Sequence, residues 1–236
     1  LWAARADTYC RTHPGSTPEN FKRICDNLSS LIRKKKDRPF VTLCNVICSL
    51  NHSETEEMFD FALNRGSDGV YFTLVDALDG TGTLLLDAPQ RAQVLLQARA
   101  IRRKWHGLPA GKKINLDYFD GFLSRLKAEG TDRGEYDRQR VNQIPCYAGW
   151  IFSRILADGG VSVCCRGVKK IMGNINTDSF SDIWFSEQYN DFRSMAKYAS
   201  KTSPYFNEIG CIKECDNLMH NEEFHRRISS CAGGCR

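Results

Sequence analysis

Several common sequence signals are missing from this chain of 236 residues. No apolar run reaches the roughly 18 residues that a membrane-spanning helix needs. The first ten residues, LWAARADTYC, contain neither the basic start nor the apolar stretch of a signal peptide. No glycine-rich phosphate loop and no Ser/His/Asp combination stands out. We therefore expect a cytoplasmic protein without a membrane partner, whose chemistry depends on other residues.

The sequence also lacks a concentrated basic surface. Its formal net charge is +5, with Lys and Arg scattered along the chain. The densest basic run, RKKK at 33–36, follows a predicted helix, where cations offset the negative end of the helix dipole. No basic face with interleaved aromatic residues is found, so we do not expect a nucleic-acid partner.

Cysteine, by contrast, is abundant. The chain has 11 cysteines, an odd number, and seven of them lie in its last 91 residues. Disulfide-rich secreted domains are shorter and usually have an even number of cysteines. Because no secretory signal is present, the C-terminal cysteines are better explained as metal ligands than as disulfide partners. The seven are Cys146, Cys164, Cys165, Cys211, Cys215, Cys231 and Cys235.

The first hundred residues alternate between predicted strands and helices. Two apolar runs, 40–48 and 69–75, are rich in β-branched and aromatic residues and predict strands buried on both faces. Helices are predicted to begin after the capping residues Thr17 and Asp87, and at a capping box that starts at Ser53. Residues 1–4 are predicted to be the end of a further buried strand. This order predicts an α/β fold with a parallel sheet.

Three such units make half of a six-unit partial barrel, so we expect residues 1–105 to be the C-terminal half of a partial (β/α)6 TIM-like barrel. Residues 106–143 are predicted to be a connector, with one short strand and a short helix between 115 and 126. A small cysteine-rich α+β domain is predicted at 144–236.

The spacing in that domain indicates a metal site. Cys146 and Cys164 flank a predicted hairpin with a turn at Gly159, in the pattern C-x12-G-x4-C, and Cys211-x3-Cys215 follows. Four thiolates from separate segments suit an iron–sulfur cluster or a four-cysteine zinc site. The second possibility would make the protein a non-enzymatic zinc-binding interaction module on an α/β scaffold.

Residues 144–225 resemble the SPASM/twitch auxiliary-cluster domain of radical S-adenosylmethionine (SAM) enzymes. The resemblance rests on the C-x9–15-G-x4-C element, the hairpin ADGGVSVCC, the segment GNINTDSFSDIW and the downstream cysteine pair. It implies an auxiliary 4Fe–4S cluster held by Cys146, Cys164, Cys211 and Cys215. Cys165 is the alternative to Cys164, because adjacent strand residues face opposite sides. Cys231 and Cys235 are further alternates.

The chain departs from that family in one respect: it contains no C-x3-C-x2-C motif, which holds the SAM-binding cluster. Cys44 and Cys48 are spaced C-x3-C but lack the third cysteine, so we expect them to be core thiols. The resemblance therefore implies either the C-terminal part of a longer enzyme, inactive alone, or a protein that has lost this chemistry, and we favour the first. The missing half of the barrel would carry SAM and a second 4Fe–4S cluster, and an external electron donor would supply electrons.

By the same resemblance, polar residues at the carboxyl ends of the two strands are candidates to contact SAM. These are Asn45, Asn51 and Asp76. No catalytic residue is predicted. The resemblance leaves the substrate open among peptides, sugars and cofactor precursors.

Overall fold

The computed structural model describes residues 1–78 and 80–233. The chain divides into two compact units, Leu1–Gly134 and Glu135–Arg236. The predicted connector at 106–143 is divided between them. In the part of the chain that the structure describes, no helix is long and apolar enough to cross a membrane.

The first unit contains a three-stranded parallel sheet in the order β1-β2-β3 with five helices. The strands are β1 (Thr42–Ile47), β2 (Gly69–Leu74) and β3 (Asn115–Asp117). The helices are α1 (Ala6–Thr12), α2 (Pro18–Lys34), α3 (Thr55–Arg65), α4 (Ala88–Gly107) and α5 (Phe119–Lys127). The predicted α/β class with a parallel sheet is confirmed, as are the short strand and helix predicted between 115 and 126.

The two predicted buried strands differ in their actual burial. β2 lies between β1 and β3, and five of its six residues are buried. β1 pairs with β2 alone among the described strands, and Thr42 and Cys44 in its first half are exposed. The prediction of burial on both faces is therefore right for β2 and wrong for β1. Cys48, just beyond β1, is fully buried as expected, whereas Cys44 is not a core thiol.

Residues 1–4 do not form a strand. The amino group of Leu1 donates a hydrogen bond to the carbonyl of Cys44, and Ala3 is fully buried. The apolar character that predicted a strand therefore reflects packing of an irregular segment beside β1, without a continued ladder of hydrogen bonds.

Capping residues explain two of the three predicted helix starts. Thr17 and Asp87 each form a reciprocal capping box with the residue three positions later, and a proline follows within the first turn. The box predicted at Ser53 is absent, because residues 52–54 form a short 3-10 turn before α3. Gly66 ends α3 with φ +74, a conformation that glycine adopts without strain.

In its described residues, the second unit combines five helices with a three-stranded antiparallel sheet in the order β4-β5-β6. The strands are β4 (Arg154–Ile155), β5 (Gly160–Ser162) and β6 (Ile171–Asn174). The helices are α6 (Ala148–Ile151), α7 (Phe180–Trp184), α8 (Glu187–Tyr198), α9 (Pro204–Ile209) and α10 (Leu218–Gly233).

One apolar core joins β5, β6, α7, α8 and α9. Val161 of β5, Ile183 of α7, Tyr189 and Phe192 of α8 and Phe206 of α9 are all buried there. The thiols of three cysteines pack against the same core at partial burial, namely Cys146, Cys164 and Cys211. The core therefore brings chain segments that are far apart in sequence close to one another.

Candidate metal centre

A tight turn joins β4 to β5. Gly159 has φ +84, and a Cβ atom there would lie 2.4 Å from Nδ2 of Asn176 and 2.6 Å from Oδ1 of Asn174. Both asparagines donate hydrogen bonds to the carbonyl of Asp158, at 3.1 Å from Asn174 and 2.9 Å from Asn176. Only glycine satisfies the backbone conformation and the space at once. The turn is thus held by the segment GNINTDSFSDIW (173–184), which begins in β6 and continues beyond it.

The same segment fixes α7 on the sheet. A Cβ on Gly173 would lie 2.7 Å from a side-chain carbon of Ile183, so the glycine lets α7 approach closely. Ser179 caps α7 by accepting a hydrogen bond from the N–H of Asp182 at 3.1 Å. In the segment GNINTDSFSDIW, Gly173 and Ile183 therefore let α7 pack on the sheet, and Ser179 fixes where α7 begins.

Cys146 precedes α6 and is held from two directions. Its N–H donates to the carbonyl of Ala196 in α8 at 3.0 Å. Its Sγ accepts a hydrogen bond from Nδ2 of Asn221 in α10 at 3.8 Å. The Oδ1 atom of Asn221 accepts from the N–H of Tyr147 at 2.8 Å, so one side chain positions two consecutive residues.

Cys211 and Cys215 lie between α9 and α10. Gly210 ends α9 with φ +78, and the N–H of Cys211 donates to the carbonyl of Phe206 at 3.1 Å. The N–H of Cys215 donates to Oδ2 of Asp137, a fully buried residue, at 2.7 Å.

Two small cavities meet at this cysteine pair. The first, of about 30 Å³, is lined by Cys146, Cys211 and Cys215 together with Lys201 and Asn221. The second, of about 20 Å³, is lined by Cys164, Cys165, Cys211 and Cys215. The four predicted ligands, Cys146, Cys164, Cys211 and Cys215, therefore lie around two cavities that share two cysteines. We refer to these four residues as the thiol site.

Burial makes all four thiols weak acids. Desolvation, followed by the charges of Cys164 and Cys146, raises the pKa of Cys211 to about 12. Desolvation also raises the pKa of Cys164 to about 11, with a further increase from Cys146. The pKa values of Cys146 and Cys215 are raised as well, mainly by desolvation. Each thiolate disfavours ionisation of the others, so four thiolates at this site require a compensating positive charge.

Cys164 and Cys165 differ in their surroundings. Sγ of Cys164 accepts a hydrogen bond from the N–H of Gly167 at 3.2 Å, and its side chain packs on the core beside Cys146 and Cys211. Desolvation raises the pKa of Cys165, and its other influences are the charges of Asp216 and Arg154. The thiol of Cys164 therefore packs on the core with Cys146 and Cys211, whereas Cys165 lies against Asp216 and Arg154, and both residues line the second cavity.

The remaining alternates lie elsewhere. Cys231 is an exposed residue of α10. Cys235 lies outside the described residues. None of the ten cysteines in the described part of the chain forms a disulfide. Among residues 1–78 and 80–233, no three His, Cys, Asp or Glu side chains form a group that could hold a single metal ion.

The three SAM-contact candidates belong to the first unit. Asn51 is fully buried and its amide is engaged by backbone groups: Oδ1 accepts from Cys48 N–H, and Nδ2 donates to the carbonyls of Trp2 and Val46, all at 2.8 Å. Asn45 is buried in β1, with no hydrogen-bond partner for Nδ2. Asp76 is partly buried in the loop after β2.

Sequence reasoning did not identify Lys201 or Asn221. Lys201 is a buried lysine that lines the first cavity, and Asn221 donates to a cysteine sulfur. Neither residue belongs to a spacing pattern, because each is brought to the thiols by tertiary packing. A surface-type residue in a polar stretch has no local feature that would distinguish it.

Comparison with known proteins places the second unit in context. No curated protein matches the chain. Two solved structures are similar, both of BtrN. One is in complex with AdoMet and 2-DOIA, with 17% identity, coverage of 92% of this chain and 89% of that chain, and a TM-score of 0.31. The other is selenomethionine BtrN in an open conformation, with 15% identity, coverage of 92% and 88%, and a TM-score of 0.28. The predicted resemblance is confirmed where the thiol site lies, because residues 146–231 match the family described as SPASM, an iron–sulfur cluster-binding domain.

Proposed function

We propose that the second unit binds an auxiliary 4Fe–4S cluster through Cys146, Cys164, Cys211 and Cys215. The observation that carries this proposal is the arrangement of the four thiols around two adjoining cavities, within a segment that matches an iron–sulfur domain family. Cys164 is preferred over Cys165 because its sulfur lies on the side of Cys146 and Cys211.

The donor set suits this group. Thiolates are the usual ligands of iron in such clusters, and the cationic iron would supply the positive charge that four buried thiolates require. A single zinc ion needs its sulfurs about 2.3 Å from one point, whereas a 4Fe–4S cluster distributes them over four irons. The spread of the thiols over two cavities, with no tight three-residue group in the described chain, supports the cluster.

The chain's own residues then have defined tasks. The hydrogen bonds to the backbone of Cys146, Cys211 and Cys215 orient the ligands before any metal binds. The aromatic core behind Cys146, Cys164 and Cys211 keeps water away from the sulfurs. When bound, the cluster would supply one-electron redox chemistry or an anchoring point for substrate.

In the wider enzyme, we infer that this unit supports radical modification of a substrate. The barrel-forming remainder would hold SAM and its own 4Fe–4S cluster, and an external donor would provide electrons. The substrate would be a peptide, a sugar or a cofactor precursor. The 236 residues alone are expected not to cleave SAM reductively, because they contain no C-x3-C-x2-C motif.

Metal analysis after anaerobic purification tests the proposal. We expect about four iron and four sulfide per chain, with the broad visible absorbance of an iron–sulfur protein. One zinc per chain without sulfide would contradict the proposal and favour the zinc-binding module.

Serine substitutions test the ligand set. Cys146→Ser, Cys164→Ser, Cys211→Ser and Cys215→Ser should each lower the iron content strongly, because serine does not replace a thiolate. Cys231→Ser is the matched control, since this cysteine is exposed on α10 and should retain the wild-type iron content. Retention of iron in Cys164→Ser together with its loss in Cys165→Ser would reverse the choice between the neighbours.

A further inference from the structure

Lys201 is an unusual lysine, because only 5% of its surface is exposed. Its Nζ donates hydrogen bonds to the carbonyls of Ala196 and Ala199, both at 2.9 Å, and lies 4.8 Å from the ring centre of Phe206. These contacts hold the ammonium in one place at the C-terminal end of α8. Burial of a charged group costs free energy unless an opposite charge compensates it.

The compensating charge does not come from a carboxylate. In the part of the chain that the structure describes, Lys201 forms no ion pair with Asp or Glu. It lines the first cavity instead, together with Cys146, Cys211 and Cys215. The groups that line this cavity with Lys201, and that would become anionic on binding metal, are the thiols of these three cysteines.

Other charges of both signs surround the thiol site. Arg166 acts on Cys211, whereas Asp137 acts on Cys215. On the side of the second cavity, Asp216 and Arg154 act in opposite directions on Cys165. Asp137 therefore opposes Lys201 at Cys215, but Lys201 is the charged side chain that lines the first cavity itself.

We propose that Lys201 is a positioning residue whose fixed positive charge raises the reduction potential of the cluster held by the thiol site. This inference rests on the function proposed above. Reduction adds one electron to a cluster that four thiolates already make negative, and a nearby buried cation stabilises the more negative form. The lysine also offsets repulsion among the thiolates while the site is being loaded.

Two variants with a matched control test this inference. Lys201→Met removes the charge but keeps an unbranched side chain, and Lys201→Arg keeps the charge. Lys197→Met removes the same charge from an exposed position on α8, one turn before Lys201. The one-electron midpoint potential of the reconstituted cluster is measured by anaerobic dithionite titration with electron paramagnetic resonance detection.

We expect Lys201→Met to make reduction at least about tenfold less favourable, which corresponds to a potential lower by about 59 mV. The midpoint potential of Lys201→Arg should lie closer to that of the wild type, and the midpoint potential of Lys197→Met should equal that of the wild type. Equal potentials in wild type, Lys201→Met and Lys197→Met would overturn the role of Lys201 while leaving the cluster itself established. Wild-type protein that holds no cluster would overturn the proposed function and this inference with it.

If a Lys201 variant folds but holds too little cluster for a potential to be measured, its iron content is the readout. If Lys201→Met is folded by circular dichroism but holds little iron while Lys201→Arg is loaded normally, the requirement for the charge is supported. Equal loss of iron from both folded variants would overturn it, because the charge-conserving variant would then behave like the neutral one.

Discussion

The amide of Asn221 joins α10 to the start of the thiol site: Nδ2 lies 3.8 Å from Sγ of Cys146, and Oδ1 lies 2.8 Å from the backbone nitrogen of Tyr147. Asn221 is only 4% exposed, so neither contact is readily replaced by water. The Asn221 side chain thus donates a hydrogen bond to the sulfur of Cys146 and also accepts one from the backbone of Tyr147.

Replacement of Asn221 by alanine should destabilise the protein. The N–H of Tyr147 would lose its acceptor in a buried place, which typically costs about 1–3 kcal/mol. The free energy of unfolding, measured by urea denaturation, should fall by that amount. Asn207→Ala is the control, because Asn207 is exposed on α9, and it should change stability by less than about 0.5 kcal/mol. Equal effects of the two substitutions would contradict a special role for Asn221.

Replacement of Gly159 by alanine should disrupt the hairpin turn. The residue has φ +84, and an added Cβ would approach the side chains of Asn174 and Asn176 at distances that real contacts do not show. We expect a loss of about 1–3 kcal/mol in the free energy of unfolding and a lower iron content after reconstitution.

The matched control for this turn is Gly82→Ala. A Cβ atom on Gly82 would meet no atom within 4 Å, and the φ of Gly82 is not positive. The free energy of unfolding of the Gly82→Ala protein should therefore stay the same or rise by up to about 1 kcal/mol. A fully stable Gly159→Ala protein with normal iron loading would show that the turn tolerates a side chain.

Asp68 should make the first unit sensitive to acid. Its Oδ1 lies 2.7 Å from Nζ of Lys35, and its Oδ2 accepts from the N–H of Val41 at 2.6 Å. The hydrogen bond from Lys35, followed by that from Val41, lowers the pKa of Asp68. A carboxylate whose pKa is lower in the folded protein stabilises it above the unfolded pKa of about 3.9, and that contribution is lost as the pH falls through the folded pKa.

We therefore expect Asp68→Asn to reduce the free energy of unfolding at pH 7 by about 1–2 kcal/mol. The difference from the wild type should shrink as the pH falls below about 4, as followed by urea denaturation at several pH values. Asp26→Asn is the control, because Asp26 pairs with Lys22 at an exposed position and should matter little at any pH. A difference that is the same at pH 7 and pH 3 would contradict this account.

Thiol labelling should distinguish Cys44, within β1, from Cys48, just beyond it. Cys44 is exposed, whereas Cys48 is fully buried and desolvation raises its pKa, so its reactive thiolate is scarce. Brief treatment of the native protein with iodoacetamide should modify Cys44 and leave Cys48 unmodified, as read by peptide mass spectrometry. Equal modification after unfolding in urea is the control. Faster labelling of Cys48 than of Cys44 in native protein would show that β1 is buried differently.

Local sequence patterns predicted the elements whose causes are local. The capping residues Thr17 and Asp87 start helices, and Gly66 ends one, because each depends on a few neighbouring backbone groups. The central strand β2 was also predictable, since burial on both faces requires a continuous apolar run. The cysteine spacing likewise predicts a metal site from the sequence alone.

The burial of individual thiols and the charges around them were decided by tertiary structure, because both depend on what packs against each element. Cys44 and Cys48 are four residues apart in one apolar run, yet only Cys48 is buried, since β1 has one described neighbour in its sheet. The charge of Lys201 reaches the thiols only because α8 ends beside Cys146 and Cys211. The sequence by itself determined the kinds of residues that form the site, whereas the packing of distant helices determined which charges and amides surround the sulfurs.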